Sequence, residues 1–188
     1  MNSFSTYLQL GLGHILNIAA IDHLLFILSF IVGLQFQDYK KAISYVTAFT
    51  LGHSITLALA TLHLIDINVA WIEFLIPITI VLSTSGHWLK GNHNSRLTFG
   101  TIALFGLIHG LGFSNYLQSL LGQEQSIILP LLAFNVGVEL AQLIVVGFLL
   151  LLMEILLNYL RVNRNYLMIG ISLLILAFTL PMIFERIP

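Results

Sequence analysis

The sequence predicts an all-α membrane protein that folds as a bundle of about six transmembrane helices in a single domain, residues 1–188. Hydrophobic residues make up 58% of the chain, only 8% are charged, and the mean hydropathy is +0.98. A soluble domain carries roughly a quarter charged residues, so this chain lacks the polar side chains that a water-facing surface needs. Its length suffices for about six spans of ~20 residues with short loops, which leaves no room for a soluble domain.

The apolar runs place these spans in order along the chain. The predicted spans cover roughly residues 7–33, 42–62, 71–88, 97–120, 127–159 and 166–184. The first span is longer than a bilayer needs, at ~40 Å if fully helical, and it contains Gly11, Gly13 and Asn17. We therefore expect the first helix to be tilted, kinked or broken, with a break placed between residues 17 and 20.

The basic residues predict the orientation of the bundle. Most of them fall in the first, third and fifth loops, whereas the other side of the membrane holds only Arg186. The residues in these three loops are Lys40, Lys41, Lys90, Arg96, Arg161 and Arg164. The positive-inside rule places such loops in the cytoplasm. We therefore expect a multi-pass protein of the inner (plasma) membrane with both termini on the non-cytoplasmic side.

The composition also limits the partners of the chain. Its formal net charge of -1 excludes a basic surface for nucleic acid. The chain has no cysteine, so a metal site must use nitrogen and oxygen ligands, which suit nickel, cobalt, zinc, manganese or iron better than Cu(I). No nucleotide-binding loop occurs in the sequence, which excludes an ATP-driven pump in this chain. The expected partners are a metal ion and the lipid bilayer, with a homo-oligomer left open.

Ionisable side chains interrupt the apolar spans at similar depths. Asp22 lies between His14 and His23 in the first span, and His53 and His109 lie in the second and fourth. At ~1.5 Å per residue, the latter two reach roughly 18 Å above the cytoplasmic loops, just beyond the midplane of a ~30 Å core. Ionisable groups at this depth are costly, so they indicate function. The predicted ligands of a divalent metal ion are His14, Asp22, His23, His53, His109 and Glu139, with Ser54, Asn135 and Gln142 predicted to support them.

Each of these residues also has a simpler interpretation. Buried histidines form interhelical hydrogen bonds that hold a bundle together, although one Asp and three His at convergent depth favour a metal or proton site. His23 suits a ligand role and the role of orienting Asp22 equally well. Glu139 has three alternative roles: it would complete the coordination sphere, carry protons or form hydrogen bonds with polar neighbours. The Ser54 hydroxyl has the alternative of donating to a carbonyl of its own helix. Glu73, near the outer interface, is a weaker candidate for receiving an incoming ion.

The sequence resembles the HupE/UreJ family of hydrogenase and urease accessory membrane proteins. The resemblance rests on five segments that follow one another along most of the chain: His14 with Asp22-His-Leu-Leu-Phe26, Phe49-Thr-Leu-Gly-His-Ser-Ile-Thr-Leu57, Glu73-Phe-Leu-Ile-Pro77, Gly106-Leu-Ile-His-Gly-Leu-Gly-Phe113 and Glu139-Leu-Ala-Gln142. It implies a six-span nickel or cobalt permease with outward termini, whose first motif handles metal. That role would fall to His14, Asp22 and His23. Because Ile15 rather than Pro follows His14, and Asp22 comes eight residues after it, the chain resembles a divergent branch.

The leading functional prediction is an inner-membrane transporter or binder of a divalent transition metal, nickel or cobalt before zinc, and not an enzyme. One alternative is an intramembrane hydrolase, in which the same residues would hold zinc and activate water with Glu139 as general base. Another is a metal-binding accessory or sensor protein without flux. A continuous polar path to both membrane faces would favour transport, whereas a closed inner side with a lateral opening to lipid would favour hydrolysis.

Overall fold

Eight α-helices follow one another in the computed structural model, which describes residues 3–18, 21–65, 67–86, 95–121 and 126–188. They are α1 (Ser3–Leu16), α2 (Ile21–Ile31), α3 (Tyr39–Thr61), α4 (Val69–Gly86), α5 (Ser95–Gly112), α6 (Ser114–Leu121), α7 (Ile128–Glu154) and α8 (Arg164–Glu185). A 3-10 turn, Phe36–Asp38, leads into α3, and a π-helix, Ile155–Tyr159, continues α7. The all-α prediction is confirmed.

Length and apolar composition separate these helices into two kinds. Four of them, α3, α4, α7 and α8, are long and apolar enough to cross a membrane by themselves. Two further spans arise if each bent pair counts as one: α1 with α2, bent by 69°, and α5 with α6, bent by 52°. The described residues therefore contain four to six candidate spans, which agrees with the predicted bundle.

The first predicted span is broken where the sequence suggested. Helix α1 ends at Leu16 and α2 begins at Ile21. Asn17 and Ile18 lie outside both helices, and residues 19 and 20 are outside the described part of the chain. The break turns one apolar run into two short helices, and Leu16 and Ile18 beside it are exposed.

The fourth predicted span, residues 97–120, is also bent, which the sequence analysis did not anticipate. Helix α5 ends at Gly112, and α6 leaves it at 52°. The Ser114 hydroxyl donates to the Leu111 carbonyl over 2.8 Å, a local bond that competes with regular helix geometry. The Gln118 amide donates to the Ala60 carbonyl over 2.7 Å and so attaches α6 to the end of α3.

Glycines bring two pairs of helices into backbone contact. A Cβ atom on Gly52 of α3 would clash with the Ala103 carbonyl oxygen of α5, and one on Gly106 of α5 would clash with the Phe49 carbonyl oxygen of α3. Gly11 of α1 and Gly137 of α7 form the same reciprocal arrangement with each other's helices. Small residues permit such close approach in membranes, where van der Waals packing drives helix association. The two crossings therefore fix α3 against α5 and α1 against α7.

The outer faces of the bundle are apolar. Large side chains, among them Ile144, Phe148, Leu173 and Phe178, are exposed on α7 and α8. Water-soluble proteins rarely expose contiguous apolar surfaces of this kind, whereas hydrocarbon solvates them well. The lipid bilayer is thus the environment that this fold requires.

Residue 88, the predicted end of the third span, and Lys90, used in the orientation prediction, lie outside the described residues.

Candidate functional site

The break in the first span brings His14 and His23 together. On one straight helix, the two residues would point roughly 180° apart, because successive residues turn by ~100°. In the structure, His14 lies near the end of α1 and His23 at the start of α2, and their ring centres are 4.4 Å apart. The bend therefore joins the two halves of the first motif into one site.

His53 and His109 complete a cluster of four imidazoles. The His53 ring centre on α3 lies 6.0 Å from that of His14, and the His109 ring centre on α5 lies 5.8 Å from that of His23. The glycine crossing between α3 and α5 supports this placement, since Gly110 packs directly on the His53 carbonyl. His53 is completely buried and His109 is 2% exposed. We call His14, His23, His53 and His109 the histidine cluster.

Most nitrogens of the histidine cluster have no hydrogen-bond partner within the described part of the chain. Both ring nitrogens of His53 and the Nε2 atoms of His14, His23 and His109 are buried without one. The Asn135 side chain interacts electrostatically with the His53 ring but forms no hydrogen bond of good geometry with it. An unpartnered buried polar group costs about 1–3 kcal/mol. Several such atoms at one place are therefore typical of a site that awaits a ligand.

Asp22 lies beside the cluster in the first turn of α2. Its Oδ1 accepts a hydrogen bond from the backbone amide of His23 over 3.0 Å and lies 3.2 Å from His23 Nδ1. This arrangement directs Nδ1 of His23 towards the carboxylate and leaves Nε2 turned away from it. The contact is a close approach without a hydrogen bond of good geometry, since His23 Nδ1 has no hydrogen-bond partner among the described residues. The side chain of Asp22 is 13% exposed, so water still reaches it.

A cavity of about 430 Å³ opens beside these residues. We call it the histidine cavity; its polar lining residues are Gln9, His14, Asn17, Asp22, His23, Glu73, His109 and Tyr116. Glu73, the weaker candidate from the sequence, is one of the partly exposed lining residues, with a side chain 40% exposed. The cavity thus joins the histidine cluster to the surface.

The remaining predicted residues contact other groups. Glu139 accepts a hydrogen bond of 2.7 Å from the Thr47 hydroxyl, and Gln142 accepts one of 2.9 Å from the Thr50 hydroxyl. These bonds join α7 to α3, and neither acceptor residue lines the histidine cavity. The Ser54 hydroxyl donates back to the Thr50 carbonyl over 2.6 Å. The structure therefore brings Asp22 and the four histidines together and places Glu139, Gln142 and Ser54 in contacts between or within helices.

The cluster has suitable spacing for a metal ion but not suitable orientation. Imidazoles that share one ion through ~2.1 Å bonds have ring centres about 4.5–6.5 Å apart, close to the observed 4.4–6.0 Å. Within the described ranges, however, no group of three or more His, Asp or Glu side chains could hold an ion as it stands. The donor atoms therefore do not converge on one point in this arrangement, although the ring centres are close.

Comparison with known proteins assigns the family. The sequence model described as "HupE / UreJ protein" matches residues 1–186. The chain belongs to the HupE/UreJ family. No curated protein and no solved structure matches it. The family membership confirms the resemblance seen in the sequence, and it connects the chain with nickel- or cobalt-related accessory or transport roles in membranes.

An aromatic layer lies beneath the histidine cluster of this HupE/UreJ protein. The ring centres of Phe26 and Phe49 lie 4.9 and 5.1 Å from that of His109, and Phe105 lies 6.1 Å from Phe26. On the far side of this layer is a second cavity of about 660 Å³ between the ends of α2 and α4 and the starts of α3, α5 and α8. The layer therefore separates two cavities along the same helices.

Sequence reasoning missed one member of the site in this HupE/UreJ chain. Arg186, just after α8, places Nη1 3.1 Å from Glu73 Oε2 and 3.6 Å from Asp22 Oδ2. The sequence analysis used Arg186 only to orient the bundle. Its position as the single Lys or Arg residue on the predicted outer side, together with Glu73 expected near the same interface, is the signal that would have identified it.

Proposed function

We propose that this chain carries a divalent transition metal ion, nickel or cobalt, across the membrane by way of the histidine cluster. The observation that supports the proposal most directly is the group of buried imidazole nitrogens without partners at the base of an open cavity. Neutral imidazole with carboxylate suits ions such as nickel and cobalt. Family membership points to the same two metals.

The ion is the cargo, and the residues of the chain replace its hydration shell. Asp22 and Glu73 attract the cation into the histidine cavity, and the imidazoles of His14, His23 and His109 lie along its wall. His53 lies behind them, fully buried. Because the rings have suitable spacing but do not converge, the proposal requires their side chains to rotate as the ion arrives. Such rotamer changes are ordinary at binding sites.

No continuous polar path joins the two cavities in the described part of the chain, but cavities on both sides of one closed layer are an arrangement that supports transport. A transporter needs access from both faces with a barrier between them, and the aromatic layer of Phe26, Phe49 and Phe105 lies between the histidine cavity and the second cavity. Release of the ion would require this layer to open. Nothing in the described part of the chain favours an intramembrane hydrolase, and Glu139, its predicted general base, contacts Thr47 instead.

The test is nickel uptake into liposomes that contain the purified protein and a nickel-responsive dye. We expect uptake by the wild type and a loss of more than roughly tenfold in His14→Asn, His53→Asn and His109→Asn. His63→Asn is the matched control, because His63 is exposed between α3 and α4 and Asn tolerates its positive φ of 57°. Full uptake by the three cluster variants would refute the proposal. Tight nickel binding without uptake would instead assign the chain an accessory or sensor role.

A further inference from the structure

Three charged side chains from three separate parts of the fold meet at the mouth of the histidine cavity. Their exposure falls from the mouth inwards: the side chain of Glu73 on α4 is 40% exposed, that of Arg186 after α8 is 29%, and that of Asp22 on α2 is 13%. The guanidinium lies between the two carboxylates. A cation that approaches Asp22 or Glu73 from the cavity therefore also meets the positive charge of Arg186.

The two contacts of the guanidinium differ in length. Arg186 Nη1 is 3.1 Å from Glu73 Oε2, a close ion pair, but 3.6 Å from Asp22 Oδ2. The other oxygen of Asp22 is already held by His23. Both contacts of the guanidinium are charge contacts and not hydrogen bonds of good geometry; Glu73 is the closer carboxylate, and Oδ2 of Asp22 is the oxygen that can change partners.

We propose that Arg186 is a tethered cation that neutralises Asp22 while the histidine cavity contains no metal, and that an incoming divalent ion displaces it from Asp22. The inference rests on the proposed function, since it names the competitor of the metal at the same site. The displaced guanidinium keeps its ion pair with Glu73. Arg186 is therefore a residue that sets the affinity and selectivity of the mouth rather than a metal ligand.

A purely structural role explains the arrangement less well. Ion pairs between partly exposed side chains contribute little to stability, typically ~0–1 kcal/mol. The ion pair of Arg186 lies beside a cavity lined by unpartnered imidazoles. This position has a direct electrostatic consequence. The positive charge of Arg186 next to Asp22 repels a second cation. Only a cation of higher charge, or one that also binds the imidazoles, can replace the guanidinium at Asp22.

The first experiment is calorimetric titration of nickel into the purified protein. We expect Arg186→Gln to bind nickel at least roughly tenfold more tightly than the wild type, because a like charge a few ångströms from the ion is removed. Arg186→Lys, which keeps the charge, should stay close to the wild type. Arg161→Gln is the matched control, since Arg161 is exposed in the segment between α7 and α8. Unchanged or weaker binding by Arg186→Gln, with binding by the wild type, would overturn the inference.

A second experiment needs no metal. The chain has no cysteine, so Gln9→Cys introduces one thiol into the lining of the histidine cavity. We expect Arg186→Gln in this background to speed the reaction with a cationic methanethiosulfonate severalfold and to slow that with an anionic one. An unchanged ratio of the two rates would overturn the inference. A changed ratio in a protein that binds no nickel would refute the proposed function and the displacement of Arg186 by metal, and would support only the neutralisation of Asp22 by Arg186.

Discussion

The Nδ1 atom of His109 lies 2.9 Å from the carbonyl oxygen of Phe105, one turn earlier on α5. A carbonyl oxygen can only accept a hydrogen bond, so in the neutral ring the proton is on Nδ1. The lone pair is then on Nε2, which is buried without a partner in a ring that lines the histidine cavity. The helix backbone thus selects the tautomer that a metal ion would need.

This relationship predicts a nitrogen spectrum. In the metal-free protein at neutral pH, the ¹⁵N signals of His109 should show Nδ1 protonated and Nε2 unprotonated. Addition of nickel or, for a diamagnetic spectrum, zinc should change the Nε2 signal while Nδ1 stays protonated. His63, exposed in the segment between α3 and α4, serves as the reference ring. The opposite tautomer in the metal-free protein would contradict the assignment.

The contact between Thr47 and Glu139 predicts that Glu139 matters for packing more than for metal. We expect Thr47→Val to destabilise the protein by about 0.5–2 kcal/mol, the range of interhelical hydrogen bonds in membranes. Thr101→Val is the control, because Thr101 is exposed and bonds only within its own helix, to Leu97. Unfolding in detergent measures both.

The contact between Thr47 and Glu139 also predicts how a substitution of Glu139 affects the nickel affinity. Glu139→Gln should leave the nickel affinity within about twofold of the wild type, a free-energy change well below the 1.4 kcal/mol of a tenfold effect. A tenfold or larger loss would return Glu139 to the set of metal ligands predicted from the sequence. Calorimetric titration under the conditions used for Arg186 allows the two residues to be compared directly.

The glycine crossing of α3 and α5 predicts a large difference between chemically identical substitutions. Gly52→Ala places a methyl group on the Ala103 carbonyl of α5, and overpacking of this kind costs typically ~1–3 kcal/mol. Gly100→Ala is the control on α5, since a Cβ there meets no other described atom within 4 Å. Thermal unfolding in detergent should show Gly52→Ala clearly destabilised and Gly100→Ala neutral or slightly stabilised by its better helix propensity.

The distribution of basic residues predicts the side on which the termini lie. A reporter that is active only outside the cytoplasm, fused after Pro188, should be active. The same reporter fused after Val162, between α7 and α8, should be silent. A fluorescent protein that matures only in the cytoplasm should give the reverse pattern. Fluorescence after Pro188 would place the histidine cavity towards the cytoplasm, because Arg186 stands at its mouth.

Hydropathy and helical geometry were enough to predict the fold class, the order of the spans and, as one of two alternatives, a break between residues 17 and 20. The second bend, after Gly112, was not predictable in the same way. Its determinants are a local serine bond and the attachment of Gln118 to Ala60, and the second of these depends on a residue far away in sequence. Depth along a helix is readable from the sequence, whereas a bend of this type depends on tertiary contacts.

The candidate site shows the same division. His14, predicted ~12 Å nearer the outer surface on a continuous helix, reaches the cluster because the first span is broken. The convergence of Asp22, His53 and His109 follows from their similar predicted depths. The separation of Glu139 from the cavity does not, because depth fixes the height of a side chain but not the direction it faces around its helix axis. Thr47, a neutral residue in an apolar span, determines that direction by hydrogen bonding. The charge pattern of the sequence gives no sign of this contact.

The ion pairs of Arg186 have a consequence for how the protein is made. Asp22 belongs to the first bent pair and Glu73 to α4, so both are synthesised and inserted well before the arginine after α8 exists. A carboxylate within a membrane bundle is costly without a partner. Until Arg186 has been synthesised, the charges of Asp22 and Glu73 are therefore incompletely neutralised. Insertion of α8, which brings Arg186 to these carboxylates, is therefore the step that completes the assembly of the bundle. A nascent chain halted before it should carry exposed acids, which would make it a recognisable substrate for membrane quality control.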